Sequence, residues 1–144
     1  MERKKFDGIV EDSIHIVVNY IVENLNKGDN VLLYGDLGAG KTTLIKKILS
    51  KLGFDENKIL SPTFTLINEY EKNGLKVYHI DAYRINDDEA EYLDIQSLME
   101  NEDFIVFIEW PENIENYLSV FFKKIYISYS KGDIKKRDYI LEGF

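Results

Sequence analysis

The chain has 144 residues, 44% of them hydrophobic, which suits one globular domain with a real core and excludes a disordered tract. No apolar run approaches the ~20 residues that cross a bilayer, and no basic start leads into an apolar stretch, so neither a membrane span nor a secretory signal is expected. The formal net charge of −8 argues against a broad nucleic-acid-holding surface, and the absence of cysteine excludes disulfides and thiolate metal sites and suits a reducing cytoplasm.

Ile14, Val17, Val18, Ile21, Val22 and Leu25 recur at helical spacing from Ser13 to Leu25, with Asp12 or Ser13 as the expected cap. His15 in that helix reads as a surface or packing residue. Val31 to Tyr34 is a short strand of the fully buried type. After a glycine-rich stretch, Leu44, Ile45, Ile48, Leu49 and Leu52 mark a second amphipathic helix that Gly53 ends. Thr63 to Tyr70 and Leu75 to Asp81 read as a hairpin turning at Asn73-Gly74. Asp87 to Glu100 is expected as one helix with acids in its first turn, where the helix dipole favours them. Phe104 to Glu109 is a second buried strand, and Lys123 to Gly143 closes the chain as a hairpin around Lys131-Gly132-Asp133. Phe and Tyr at these periods are core residues first. The order gives an α/β domain with a sheet between helices.

Charge is unevenly spread. Between Lys123 and Arg137 six basic residues meet one acid, Asp133, so this segment carries +5 and the remainder −13. It is either a solvated basic hairpin or a contact for a phosphate, an RNA or an acidic partner.

Gly35-Asp36-Leu37-Gly38-Ala39-Gly40-Lys41-Thr42 matches G-x-x-x-x-G-K-[ST] in full, with a buried strand before it and an amphipathic helix beginning in it. Glycines let successive backbone N–H groups face one anion, and the helix adds its positive end. Lys41 is expected on the β- and γ-phosphates and the Thr42 hydroxyl on Mg²⁺, with Thr43 following in the nucleotide-binding run. A metal held by Thr42 needs a carboxylate at the end of a neighbouring strand. Two strands end so, at Asp81 and at Glu109; aspartate is the commoner residue, while the strand of Glu109 is more apolar and better suited to the sheet centre. His79 shares a face with Asp81 and is expected in a hydrogen-bonded packing role.

Other nucleotide-using classes fit less well. An Asn26-Lys27-Gly28-Asp29 run precedes the glycine loop, whereas the guanine-reading motif of a GTPase follows it, and no D-x-x-G follows either acid. A small-molecule or nucleotide kinase remains an alternative, although Arg84 is the only arginine where a lid would lie.

The segments "GDLGAGKTT", "SPTFTLINEY", "YHIDAYR" and "FIEWPE", in this order and spacing, resemble the TsaE (YjeE) family of small bacterial ATPases from about Ser13 to Glu112. The resemblance implies a P-loop NTPase fold with a mixed central sheet flanked by helices, and ATP with Mg²⁺ as ligands. It implies action beside two partners of one fold, a threonylcarbamoyl transferase and its paralogue (TsaD and TsaB type). Together these install N6-threonylcarbamoyladenosine in tRNA, which this chain meets through the complex. It assigns the metal acid to Glu109, a role in hydrolysis to Asp81, and a place near the nucleotide and partner surface to Trp110. Ser61, Thr63 and Thr65, stiffened by Pro62, take the place of a switch loop. Ser13 near the base and Arg137 near the phosphates complete the expected contacts.

Overall fold

The structure is a computed structural model that describes residues 2–59, 66–118 and 121–144. Its strands are β1 (Arg3–Ile9), β2 (Asn30–Tyr34), β3 (Ile67–Lys72), β4 (Leu75–Asp81), β5 (Phe104–Glu109), β6 (Lys123–Ser130) and β7 (Asp133–Glu142). Its helices are α1 (Ile14–Glu23), α2 (Lys41–Lys51), α3 (Asp87–Tyr92) and α4 (Ile95–Glu100), with a 3₁₀ segment at Pro111–Tyr117. The strands form one seven-stranded sheet in the order β1-β7-β6-β2-β5-β4-β3. Its centre is parallel, β6, β2, β5 and β4, and the outer strands are antiparallel.

The two buried runs of the sequence lie side by side at the centre. β2 and β5 pair from Asn30 with Val106 to Leu33 with Glu109, and β4 follows with Asp81 opposite Glu109. Three parallel strands therefore end at one edge, which is where an open α/β sheet builds its sites. On one face Val17, Val18 and Ile21 of α1 and Leu44, Ile45, Ile48 and Leu49 of α2 pack against Val31, Leu33, Val77 and Phe107. On the other face Ala90, Ile95 and Met99 pack against Leu32, Ile80, Val106 and Ile108. Fully burying each such aliphatic side chain contributes about 1.5–3 kcal/mol before entropy is set against it.

Local expectations hold with four corrections. Asn73 and Gly74 both have positive φ, the conformation of a type I′ hairpin turn. The segment from Asp87 to Glu100 is two helices, not one: Asp94 adopts φ 54° between them. The buried positions explain the break, because Ala90, Ile95 and Met99 are five and then four apart, and a continuous helix would turn Ile95 away from Ala90. Neither Asp12 nor Ser13 caps α1 with its side chain; a 3₁₀ turn at Glu11–Ser13 leads into the helix instead. Lys123 does not belong to a solvated basic surface, since it is buried and its ammonium donates to Asn24 O and to Asp29 Oδ2. Finally, β1 was not foreseen: "RKKFDGI" is mostly exposed and is held by pairing with β7.

Tyr34, at the end of β2, stacks on Tyr126 with ring centroids 5.0 Å apart. Burial, then Tyr126 and the carboxylates of Glu112, Glu115 and Glu142, push its phenol up to about 12. An acid raised in the folded state ionises first in the unfolded chain, so its stabilising effect is whole below about pH 10 and declines as pH climbs towards 12. Tyr34→Phe is therefore expected to flatten the alkaline loss of stability in chemical denaturation between those two pH values, relative to the parent chain.

Candidate functional site

The glycine loop joins β2 to α2 at the parallel edge. Gly35 lies so close to β6 that an added Cβ would stand 2.8 Å from Ile127 O. Gly40, the N-cap residue before α2, has φ 105°, which only glycine adopts without strain. The loop's outer carbonyls are held by the β6–β7 hairpin: Tyr129 Oη donates to Gly38 O at 3.0 Å and Arg137 Nε to Ala39 O at 2.9 Å. Because the oxygen and hydrogen of one peptide point oppositely, fixing Ala39 O outward turns the Gly40 N–H towards the loop interior.

Lys41 and Thr42 open α2. Lys41 is buried, donates to Gly35 O, and stands 3.5 Å from the centroid of the Trp110 ring. Burial pushes its ammonium below the ordinary value, while Glu109, Glu112, Asp81 and Asp36 act in the opposite sense. Thr42 Oγ1 donates to the Glu109 carboxylate, 2.8 Å from Oε1 and 2.9 Å from Oε2. Glu109 Oε2 also meets His79 Nε2 at 2.6 Å, and both groups are buried. Asp81 sits one strand further out, half-buried, and accepts the Tyr83 N–H at 3.0 Å. Burial raises its carboxyl, a rise that the Tyr83 N–H opposes and the charge of Glu109 assists. The two acids left open by the residues alone thus have different places: Glu109 touches Thr42, and Asp81 faces the same cleft.

That cleft, about 550 Å³, is lined by Lys41, Thr42, Asp81, Glu109, Trp110 and the loop from Leu37, with Tyr83 and Arg84 on its wall. Trp110 has φ 57°, a strained conformation for a bulky residue, and its ring also packs on Tyr83 at 4.9 Å. A second cleft of about 610 Å³ lies across the loop and shares Ala39, Gly40 and Thr43 with the first. Arg137, Lys47, Asp12 and Ile14 line it; Ser13 stands between the last two without lining it. Asp36 is exposed and uses its carbonyl to accept the Ala39 N–H. Ser61, Pro62, Thr63 and Thr65 lie outside the described residues. His15 is exposed, as expected.

Among the described residues no helix is long and apolar enough to cross a membrane. Nor do three or more His, Cys, Asp or Glu of those residues gather as a metal cluster. The donor set suits magnesium, a hard cation that takes one or two protein oxygens and completes its shell from water and phosphate. Thr42 and Glu109 supply such oxygens beside a buried ammonium.

The model of the family "Threonylcarbamoyl adenosine biosynthesis protein TsaE" matches residues 10–139. The chain belongs to the TsaE family. A tRNA threonylcarbamoyladenosine biosynthesis protein TsaE from Synechocystis sp. is 43% identical over 97 residues, 65% of this chain and 61% of that protein. One from Haemophilus influenzae is 45% identical over 89 residues, 61% of this chain and 55% of that protein. The matched stretches thus span less than two thirds of these curated relatives. The crystal structure of Bacillus subtilis YdiB superposes with a TM-score of 0.73 at 27% identity, covering 97% of this chain and 84% of that one. The TsaE fold here is α/β, of the P-loop NTPase type, with helices on both faces of a mixed sheet.

Sequence reasoning did not find Tyr129, Tyr83 or the link from His79 to Glu109. The period-2 spacing of His79 and Asp81 was the available signal for the last, and β4 beside β5 turns that spacing into contact. His79→Ala leaves the Glu109 carboxylate buried without its imidazole donor, a loss of about 1–3 kcal/mol. Denaturant unfolding is expected to show that loss, and His79→Gln, which keeps an N–H donor, to recover part of it.

Proposed function

We propose that this chain binds ATP with Mg²⁺ across the two clefts and hydrolyses it slowly. We propose further that this turnover serves the installation of N6-threonylcarbamoyladenosine in tRNA in the cytoplasm. The contact of Thr42 with Glu109 beside buried Lys41 carries the reading, because it places a hydroxyl, a carboxylate and a cation at one loop built for an anion. The names of the curated relatives support the pathway.

In this reading the loop amides and Lys41 bind the phosphates, and Thr42 with Glu109 holds the metal. Lys41 moves from Gly35 O and the Trp110 face to the nucleotide, so its present contacts are a resting position. Bound magnesium supplies charge neutralisation at the phosphate oxygens. Asp81, raised by burial, orients or accepts a proton from the attacking water. His79 keeps Glu109 in the rotamer that faces Thr42. The chain acts beside a threonylcarbamoyl transferase and its paralogue of the TsaD and TsaB type, with hydrolysis resetting the complex and tRNA reached through it.

The test is ATP turnover with Mg²⁺, first for the chain alone and then with the transferase pair and tRNA. Slow turnover that rises with the pair is expected, with Glu109→Ala lowering kcat about 100-fold or more and Asp81→Asn lowering it with ATP affinity retained. Fast turnover alone, no response to the pair, or transfer of the γ-phosphate to a nucleoside or sugar would overturn the reading in favour of a kinase.

A further inference from the structure

Three exposed apolar side chains sit on the lip made by the glycine loop and the β6–β7 hairpin that is hydrogen-bonded to it. Leu37 is 73% exposed, Tyr129 43% and Ile134 79%. The backbone ties them together: Gly38, which follows Leu37, accepts the Tyr129 hydroxyl at its carbonyl, and the Arg137 guanidinium lies 4.1 Å from the centre of the Tyr129 ring. Arg137 Nη1 in turn donates to Ile134 O at 3.0 Å. Exposed Lys131, Lys135 and Lys136 rim this lip, and Lys136 stands 4.0 Å from Asp133.

We propose that this lip is the docking surface for an acidic protein partner, and that Tyr129 and Arg137 carry the docking to the phosphate loop. The proposal rests on the function proposed above and names the surface through which the transferase pair would act. An aliphatic centre with a lysine rim matches an apolar notch bordered by carboxylates. It fits an RNA poorly, because Leu37 and Ile134 offer no stacking plane and Arg137 covers a face of Tyr129. The coupling follows from the hydrogen bonds. One guanidinium holds both Ile134 O in the hairpin and Ala39 O in the loop, so pressure on the hairpin turn shifts the carbonyl whose peptide presents the Gly40 N–H. Arg137 is then a positioning residue for the loop.

The experiment measures binding of the transferase pair to the ATP-loaded chain, ATP affinity, stimulated turnover, and binding of tRNA alone. Lys131→Glu with Lys136→Glu, neither of which lines a cleft, is expected to weaken the pair about tenfold or more and leave ATP affinity unchanged. Ile134→Ser is expected to weaken the pair at any salt concentration, with its ATP affinity measured separately because Ile134 borders the second cleft. Arg137→Lys keeps the charge and loses the two-point hold, so it is expected to retain pair affinity and lose stimulation. Unchanged pair binding in the lysine and Ile134 variants would overturn the docking surface. Loss of tRNA binding with pair binding intact would overturn it in favour of an RNA contact. Normal stimulation in Arg137→Lys would overturn the coupling. A parent chain that binds no pair at all would overturn the proposed function and this inference with it.

Discussion

The Glu109 carboxylate holds the site together because it is buried with two donors from two other elements. Thr42 reaches it from the first turn of α2 and His79 from the middle of β4. A carboxylate in such surroundings is costly unless its oxygens are bonded, and a partner removed leaves that cost uncompensated. The same three-way contact therefore serves two ends. It ties the glycine-loop helix to the sheet, and it brings a hydroxyl and a carboxylate together on the cleft that Lys41 also lines. The parallel register makes this arrangement available, since Leu33, Glu109 and Asp81 lie abreast on adjacent strands.

Around that contact the loop is held from outside. Its amides can face inward only if its carbonyls find partners elsewhere, and buried or crowded backbone oxygens are rarely left without one. Gly35 O takes the Lys41 ammonium, Asp36 O takes the Ala39 N–H, and the outer two carbonyls take Tyr129 and Arg137. The C-terminal hairpin thus braces the glycine loop without contributing a motif residue to it. Its Arg137 lines the second cleft while its guanidinium is partly committed to Ala39 and Ile134, so a role towards phosphate and a role in bracing the loop are compatible.

What the sequence made legible follows from how local each signal is. The glycine loop, β2, α2, β5 and the Asn73-Gly74 turn rest on short-range spacing and turn chemistry, and all stand where expected. β1 was invisible because an edge strand held by one neighbour needs little apolar alternation. The break at Asp94 was hidden because no Gly or Pro marks it between Asp87 and Glu100, and only packing against the sheet reveals the five-residue step from Ala90 to Ile95. Spacing alone left Asp81 and Glu109 level, the family resemblance favoured Glu109, and the contact of Thr42 with Glu109, which no single segment encodes, sets the two acids apart.

Lys123 and Arg137 show the same limit from the electrostatic side. In sequence they bracket one basic run, yet the sheet sends them to different duties. Lys123 sits at the start of β6 and is drawn inward by Asp29 and the end of α1, whereas Arg137 lies across the hairpin from Tyr129 and reaches the phosphate loop. Subtracting these two leaves Lys124, half-buried beside Tyr34 and Phe122, and the exposed Lys131, Lys135 and Lys136 around the turn. Exposed basic charge of an otherwise acidic chain thus gathers at a hairpin end that is hydrogen-bonded to the glycine loop. The bonds from that hairpin to the loop come from Tyr129 and Arg137, not from the lysines, whose charge reaches the loop only through space and is screened by salt.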